Sequence, residues 1–503
     1  MENESGYLKK VFDRARSIYF SNLNGQKKYY CLLGLLLCIM SLYSLQTLTT
    51  KPRIWADEGL SLELSHNFMI FGKIDVQTAP GIFSGLPEYL QSTGYPVLAP
   101  AALFFKIFGF GFVQARVYML LWMIITISAI FIFLKNIFNF RLALLSILLI
   151  TTFASFYANG RSLVGEIPGF FFLVIGLCFW WIKEKRFIAG IFFGLAVVSK
   201  PSVYLNALPV IGLVAIKYEK KDFWRNAILI VLGTLPAAII WVSLVIPHPF
   251  QIEPWARIAH FYRDPYTSVS MTNSIIKNVF QIPRQLSIIY FIILCIPIIL
   301  TFFKLSDKKI KCFYYFIILY SLLSFFYFLR SPGWIRYLIA SQILILMLFP
   351  FAIENIILKI KERLAIIKRF KPILLHSLII IFLAIVQTAQ LFLFSHIYAS
   401  DAALKATRFV TSNFQNQSIG LINMPEIAAF VNPAQKFQVI NKLLGIPELG
   451  DVNSWPPTVD VIVVYESDDL GMAAARLFLN RYKLINNIDG YKIFGIAHKE
   501  KNI

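Results

Sequence analysis

The chain alternates long apolar segments with short polar loops over its first four hundred positions. Many of these segments approach the roughly 20 residues that an α-helix needs to cross a bilayer. The pattern predicts a polytopic α-helical membrane protein with about 11 spans. The predicted spans are residues 29–48, 113–134, 142–158, 166–182, 187–199, 203–216, 226–246, 286–303, 312–329, 335–357 and 373–395.

A twelfth apolar run, residues 95–110, is interrupted by Pro96 and Pro100 and carries Lys106. If this run does not cross, the loops on the side of the N-terminus hold 25 Lys and Arg in 70 residues. The opposite loops then hold 13 in about 120 residues. Because basic residues concentrate in cytoplasmic loops, we expect a cytoplasmic N-terminus and an interfacial helix at 95–110 on the outer side.

This topology divides the chain into three regions. We expect a cytoplasmic leader at 1–28, a transmembrane region at 29–395 and an external domain at 396–503. Within the membrane region, the first external loop (49–112) contains interfacial helices, and a second long external loop spans 247–285. The last region has ordinary charge density and short β-like runs such as SIGLINM, FQVIN, VDVIVVYES and YKIFGI, with GMAAARLFLNRY at helical spacing. It therefore predicts a small α/β domain.

Composition supports this class and excludes others. Hydrophobic residues make up 57% of the 503 positions and charged residues 15%, with a net charge of +21. The basic residues cluster in loops between spans, which indicates topology and anionic lipid rather than nucleic acid as a partner. HExxH, P-loop, GxSxG and dinucleotide-binding signatures do not occur, so protease, NTPase, hydrolase and Rossmann functions lack their motifs. We expect a multi-pass protein of the plasma (inner) membrane.

Ionisable residues gather at the predicted outer ends of the spans. A membrane protein that collects acids and bases at one interface is expected to handle a charged headgroup there. The group consists of Asp57, Glu58, Arg161, Glu166, Lys200, His260, Arg263, Arg330 and Arg336.

The acids and Lys200 each allow a structural interpretation beside the functional one. Asp57 precedes residues at helical spacing, so it predicts an N-cap for an amphipathic interfacial helix. An N-cap aspartate can still accept a proton, so the two roles are compatible. Glu166 opens a predicted span, where acids favour the helix dipole. Lys200 is either a snorkelling side chain or a phosphate ligand.

Several stretches, taken in order, resemble one class of membrane enzyme. They are WADEGLSLELSHNFMIFGK, ALFFKIFGFGFVQARVYML, FRLALLSILLITTFASFYANGRSLVGEIPGFF, FFGLAVVSKPSV, AHFYR and SPGWIRYLIASQILILM. The set resembles the GT-C class of integral-membrane glycosyltransferases, particularly lipid A aminoarabinose transferases and protein O-mannosyltransferases. Where the aminoarabinose enzymes have an Arg after the Asp-Glu pair this chain has Leu60, and it has Tyr95 in place of a Lys before the proline. The aminoarabinose specificity is therefore not carried over.

The resemblance implies a polyprenyl-phosphate sugar as donor and co-substrate. It implies sugar transfer, with inversion, to a hydroxyl of a lipid, glycan or protein acceptor on the external face. Asp57 is the expected base, with Glu58 and Glu166 as further catalytic carboxylates that orient acceptor or base. The donor phosphate is expected to contact Lys200, His260, Arg263 and Arg336, with support from Arg161, Arg330 and Tyr337.

Alternatives remain at this stage. Asp57, Glu58 and Glu166 are oxygen donors that suit a divalent cation such as Mg²⁺ or Mn²⁺. However, the basic residues can neutralise phosphate, so a metal site is not the expectation. A polymerase or ligase of lipid-linked saccharides would share donor, side and arginines. A flippase or transporter is a further alternative, although such proteins concentrate charges and broken helices near the bilayer midplane.

Overall fold

A computed structural model describes residues 26–90, 92–246, 248–263, 271–331, 333–363, 372–393, 399–431, 435–440, 459–466, 472 and 482–496. Most of the described chain is helical. The helices before the C-terminal region are α1 (Gln26–Gln46), α2 (Ala56–Phe71), α3 (Tyr95–Phe108), α4 (Phe112–Ile137), α5 (Phe140–Thr152), α6 (Ala154–Arg161), α7 (Glu166–Trp181), α8 (Arg186–Ser199), α9 (Pro201–Tyr204), α10 (Ala207–Tyr218), α11 (Phe223–Val245), α12 (Ile252–Arg263), α13 (Met271–Gln281), α14 (Leu286–Phe302), α15 (Lys308–Arg330), α16 (Ile339–Arg363) and α17 (Pro372–Leu393).

The polytopic helical architecture expected from the sequence is confirmed. Among the described residues, seven helices are long and apolar enough to cross a membrane, or up to nine if each of two bent pairs is one span. The predicted spans 166–182 and 187–199 are α7 and α8, with 16 and 14 residues. Both are shorter than the roughly 20 residues of a typical crossing, so the number of crossings stays a prediction.

A five-stranded sheet forms the centre of the C-terminal region. Its strands are β3 (Ile419–Ile422), β4 (Phe437–Ile440), β5 (Val461–Tyr465), β6 (Tyr482–Ile488) and β7 (Tyr491–Ile496). Strands β1 (Gln77–Ala79) and β2 (Ile82–Phe83) form a separate short hairpin in the first loop. The order is β4-β3-β5-β7-β6, with β4, β3 and β5 parallel and the other neighbours antiparallel. With helices α18 (Ala402–Asn413) and α19 (Pro425–Ala428), it forms the small α/β domain expected from the sequence.

Four predicted strands, which are rich in valine and isoleucine, are confirmed. The runs SIGLINM, FQVIN, VDVIVVYES and YKIFGI contain β3, β4, β5 and β7. Strand β6 was not predicted; it lies at the end of the sheet order, and most of its residues are exposed or half-buried. The expected helix GMAAARLFLNRY falls almost entirely outside the described residues.

One prediction about α2 is wrong. The helix begins at Ala56 with Trp55 at the N-cap position, and no side chain caps it. Asp57 therefore does not cap the helix, because its carboxylate is engaged elsewhere. The predicted polar face of α2 is also buried rather than solvated, and Glu58, Ser61 and Ser65 are each less than 2% exposed.

The burial of α2 follows from its position between α3 and the sheet domain. A Cβ on Gly59 would lie 2.4 Å from the backbone nitrogen of Glu426 in α19, so the two helices touch through a residue without a side chain. Leu62 of α2 shares an apolar core with Met424 and Ile427 of the sheet domain. The start of α2 is thus fixed between the helical bundle and the C-terminal domain.

Candidate active site at the sheet-domain end of the bundle

The carboxylate of Asp57 forms an ion pair with Arg336. Asp57 lies in the first turn of α2, and Arg336 lies in a 3-10 turn, Ile335–Leu338, immediately before α16. Arg336 Nη1 donates to Asp57 Oδ2 at 2.5 Å. The Asp57 and Arg336 side chains are 19% and 11% exposed respectively, so the pair is largely buried but still reaches the molecular surface.

Aromatic rings surround the Arg336 guanidinium. Its central carbon lies 4.7 Å from the Trp55 ring centroid, 4.4 Å from that of Trp334 and 5.6 Å from that of Tyr337. Such cation–π contacts favour a fixed orientation of a planar guanidinium. Trp55 is itself anchored, because its Nε1 donates to Ser162 Oγ at 3.1 Å. The arginine is therefore held so that one nitrogen faces Asp57.

A second ion pair joins Glu166 and Lys200. Glu166 is the first residue of α7, and Lys200 follows the last residue of α8, so the antiparallel pair places both at the same end. Lys200 Nζ lies 3.4 Å from Glu166 Oε1, and both side chains are at most 1% exposed. Arg336 also interacts electrostatically with both Glu166 and Asp57. The four residues form one charged group.

Two glycines bring neighbouring segments against the backbone before Lys200. Gly94 donates its N–H to the Ser199 carbonyl at 3.1 Å, and a Cβ on Gly94 would lie 1.8 Å from the Val198 carbonyl oxygen. A Cβ on Gly165 would lie 2.0 Å from the Ser199 carbonyl oxygen. Because no real Cβ approaches this closely, only glycine allows this packing, which fixes the position of Lys200.

The second acid of the Asp-Glu pair has a different environment. Arg116 Nε and Nη2 donate to Glu58 Oε1 and Oε2 at 2.8 and 2.7 Å, and both side chains are fully buried. Arg116 Nη1 also donates to the Leu48 carbonyl at 2.7 Å. This bidentate pair ties the end of the first loop to its beginning. Sequence reasoning did not single out Arg116, although it is the arginine of the ALFFKIFGFGFVQAR stretch.

The supporting residues lie around this group. Arg161 is 2% exposed, donates to Thr47 Oγ1 at 2.5 Å and interacts electrostatically with Glu58 and Arg116. Arg330 is the half-buried last residue of α15. Tyr337 is buried, with its ring 5.2 Å from that of Tyr327.

The other two expected phosphate ligands, His260 and Arg263, lie on one helix. His260 and Arg263 belong to α12, but their side chains lie outside the described residues. The same helix is tied to the first loop through Arg257, whose Nε donates to Glu88 Oε1 at 2.6 Å.

Polar atoms within the charged group remain without hydrogen bonds among the described residues. They are both carboxylate oxygens of Glu166 and Nε of Arg336, and beside the group Nε of Arg161 is likewise without a partner. The Lys200 contact to Glu166 is an ion pair without hydrogen-bond geometry. Buried polar groups are usually satisfied. Unused donors and acceptors in an ion-pair cluster are therefore suited to a bound anion and a hydroxyl.

A further acidic group in the first loop was missed at the sequence level. Burial raises the pKa of Glu63 from 4.5 to about 8, and the nearby Asp75 adds to the shift. Burial also raises the pKa of Asp75, to which Glu88 contributes. Backbone N–H groups of Gln77, Val76 and Gly85 bond these two carboxylates. The network orders the loop after α2 rather than reaching the charged group.

A divalent-cation site at Asp57, Glu58 and Glu166 stays an alternative to the ion pairs that these carboxylates form in the structure. Asp57, Glu58 and Glu166 are each paired with a separate basic residue. Within the described ranges, no group of three or more His, Cys, Asp or Glu is placed to hold a metal ion. Hard divalent cations require several oxygen ligands converging on one point, and this arrangement offers a basic partner to each acid instead.

Comparisons with known proteins agree on the architecture. Residues 96–248 match the family described as dolichyl-phosphate-mannose-protein mannosyltransferase. No curated protein sequence matches the chain.

Solved structures are similar over most of the chain. One is ArnT from Cupriavidus metallidurans bound to undecaprenyl phosphate, with a TM-score of 0.62, 11% identity, and coverage of 92% of this chain and 98% of that one. Another is the Archaeoglobus fulgidus oligosaccharyltransferase in the apo form, with a TM-score of 0.56, 13% identity, and coverage of 94% and 75%. A complex of the latter with Zn and sulfate has a TM-score of 0.52 at 13% identity, with coverage of 90% and 71%.

These structural similarities establish the fold, and the family match at residues 96–248 supports glycosyltransferase activity. The chain therefore has the fold of the GT-C class of integral-membrane glycosyltransferases, and glycosyl transfer is the activity that the comparisons support.

Proposed function

We propose that the protein transfers a sugar from a polyprenyl-phosphate donor to a hydroxyl of an acceptor on the external face of the membrane. The observation that carries this proposal is the charged group of Asp57, Arg336, Glu166 and Lys200, which gathers two carboxylates and two cations at one end of the bundle. Glycosyl transfer from a lipid phosphate needs a base for the acceptor proton and cations for the leaving phosphate.

The reaction is a single displacement. The acceptor oxygen attacks the anomeric carbon and forms the new glycosidic bond, while the bond from that carbon to the phosphate oxygen breaks. The polyprenyl phosphate leaves with the bonding electron pair, and the acceptor proton passes to the Asp57 carboxylate and then to water. Attack from the face opposite the phosphate inverts the anomeric centre, as in inverting glycosidases.

Arg336 links the two halves of this chemistry. Its Nη1 holds Asp57, while its Nε has no hydrogen-bond partner among the described residues. A guanidinium can donate to two groups from one rigid fork. In the proposal, the free edge of Arg336 and the ammonium of Lys200 bind the departing phosphate, and His260 and Arg263 of α12 are further phosphate ligands.

Glu58 and Glu166 have different proposed roles. Glu58 is a positioning residue, because its bidentate pair with Arg116 fixes the backbone beside Asp57. Glu166 orients Lys200 and offers two unused carboxylate oxygens to the acceptor hydroxyl or the sugar. Arg161, Arg330 and Tyr337 support the surrounding structure.

The proposed placement in the cell follows the charge asymmetry of the loops. The N-terminus lies in the cytoplasm, 29–395 form the catalytic membrane domain, and 396–503 form a domain outside the plasma (inner) membrane. Undecaprenyl phosphate, which is bound in the ArnT structure, is an example of the lipid carrier class that this reaction releases. No step in this mechanism requires a metal ion.

A deletion strain tests the proposal as a whole. Surface glycans and glycolipids of the strain are compared with wild type by mass spectrometry, and the gene is restored on a plasmid. We expect one sugar to disappear from one class of molecule and to return on complementation. In parallel, purified protein given the matching lipid-linked sugar and an acceptor extract from the deletion strain should release polyprenyl phosphate and glycosylate the acceptor. Unchanged glycans together with no release would contradict the proposal.

A further inference from the structure

A cavity of 330 Å³ lies between the bundle and the C-terminal domain, directly beside the start of α2. One wall is the segment 53–56, which leads into Asp57. The other wall comes from the sheet domain, including Asn423, Glu426, Tyr465 and Tyr491. The volume is at the lower end of the range for small-molecule sites. It is large enough for one sugar-sized group.

The sheet-domain wall occupies the position where open α/β sheets bind ligands. Asn423 directly follows strand β3 and Tyr465 ends strand β5, so both stand at the carboxyl edge of the parallel strands. Ligands of such sheets bind outside this edge. Asn423 also has a positive φ of 54°, an uncommon backbone conformation for a residue with a side chain.

The polar and aromatic groups of the cavity suit a polyhydroxylated ligand. Glu426 is 4% exposed, and its Oε1 accepts a hydrogen bond from the Tyr491 hydroxyl at 2.9 Å. Its Oε2 is buried and accepts no hydrogen bond from another residue within the described ranges. The rings of Tyr465 and Tyr491 lie 4.8 Å apart between centroids. A free carboxyl oxygen beside aromatic rings offers hydrogen bonds to hydroxyls and apolar surface to the ring carbons of a sugar.

Charge favours a neutral or weakly anionic ligand over a cation. Burial raises the pKa of Glu426 from 4.5 to about 7, so this carboxyl is only partly ionised at neutral pH. The exposed Arg53 lines the same cavity and interacts electrostatically with Tyr491. A basic side chain at the entrance and a partly protonated acid inside do not attract a metal ion.

Trp55 connects this cavity with the charged group. It lines the cavity, and its ring lies 4.7 Å from the Arg336 guanidinium that binds Asp57. The cavity and the charged group therefore share Trp55, and Ala56, which also lines the cavity, directly precedes Asp57.

We propose that this cavity is the acceptor subsite and that it binds a sugar residue of the acceptor, so that the acceptor hydroxyl reaches Asp57 beside Trp55. The inference rests on the proposed function and narrows it, since the acceptor is then a glycan or glycolipid rather than a bare protein. Glu426, Tyr465 and Tyr491 contact that sugar.

The test uses full-length protein in nanodiscs with a lipid-linked sugar donor. The acceptor probe is a glycolipid extract from cells that lack the gene. Variants Glu426→Gln and Tyr465→Ala are compared with Tyr465→Phe, which keeps the ring, and with Glu466→Gln. Glu466 is the matched control, because it follows the same strand but is 55% exposed and does not line the cavity.

Glu426→Gln and Tyr465→Ala should raise the half-saturating extract concentration by about tenfold or more, as expected for the loss of one hydrogen bond or ring contact to the ligand. The half-saturating donor concentration should not change. Tyr465→Phe and Glu466→Gln should behave like wild type. Unchanged extract dependence in both cavity variants overturns the inference while the proposed function stands.

A second measurement needs no variant. Simple methyl glycosides at about millimolar concentration, the range of weak single-site binding, should compete with the extract in the wild-type protein and leave donor saturation unchanged. Failure of every methyl glycoside to compete overturns the subsite. If wild-type protein releases no polyprenyl phosphate from any donor, the proposed function fails first, and the acceptor assignment fails with it.

Discussion

Arg336 Nη1 donates to the Asp57 carboxylate at 2.5 Å across 279 positions of sequence. The contact joins the first turn of α2 to the 3-10 turn before α16. Because aromatic rings hold the guanidinium, the proposed base has a fixed orientation before any substrate binds. Preorganisation of this kind lowers the cost of reaching the transition state.

Replacing Arg336 should therefore reduce turnover even when the positive charge at this position is kept. Arg336→Lys keeps the positive charge but loses the fork that reaches Asp57 and the phosphate together. We expect turnover to fall by about 10²-fold, as for the loss of a donor to transition-state charge. Polyprenyl phosphate release measures the effect. Arg225→Lys is the control, since Arg225 is 70% exposed in its pair with Asp222. Equal activity of both variants would contradict the role of Arg336.

Breaking the Glu58–Arg116 pair should affect stability first. Glu58→Gln leaves a fully buried guanidinium without its charge partner, and the loss of one partner of a buried pair costs about 3–5 kcal/mol. Thermal unfolding in detergent should show a clearly lower midpoint than wild type. The matched change Asp222→Asn breaks an exposed pair, which is worth about 1 kcal/mol or less. A midpoint as high in Glu58→Gln as in the control would rule out this role.

Gly165→Ala should impair activity by moving Lys200. The added methyl would lie 2.0 Å from the Ser199 carbonyl oxygen and 3.1 Å from Lys200 Cβ, so the backbone must shift. Gly212→Ala is a matched control in α10, where a Cβ meets nothing within 4 Å among the described residues, and alanine favours the helix. We expect a loss of turnover with raised donor half-saturation only in Gly165→Ala. Wild-type donor kinetics in that variant would refute the placement of Lys200.

Glu63 should make stability fall as pH rises from about 5 to 8. Its pKa is raised from 4.5 to about 8 in the folded protein, so within this window the folded state holds a proton that the unfolded chain releases. Glu63→Gln should flatten the dependence in part, because the pKa values of Asp75 and Glu426 are raised in the same direction. Thermal midpoints at pH 5 and pH 8 measure the slope, with Glu466→Gln as control. An unchanged slope in Glu63→Gln contradicts the assignment.

The fold was predictable from the sequence because span length and strand composition are local properties. The candidate site was predictable only as a set of residues at one face, since Asp57, Glu166, Lys200 and Arg336 were identified by topology. Their pairing was not predictable. Asp57 had a local explanation as an N-cap, and only the distant Arg336 contact displaces it. Glu426 gave no sequence signal, because its burial depends on α19 docking against Gly59.

The most direct measurement is the turnover of purified Asp57→Asn protein with a labelled lipid-linked sugar donor. Asparagine keeps the size of the side chain but cannot accept the acceptor proton. With Asp222→Asn as the matched control, we expect turnover to fall by about 10²-fold or more in Asp57→Asn, the contribution typical of a positioned base. Turnover within a few-fold of wild type would show that Asp57 is not the base and that this mechanism is wrong.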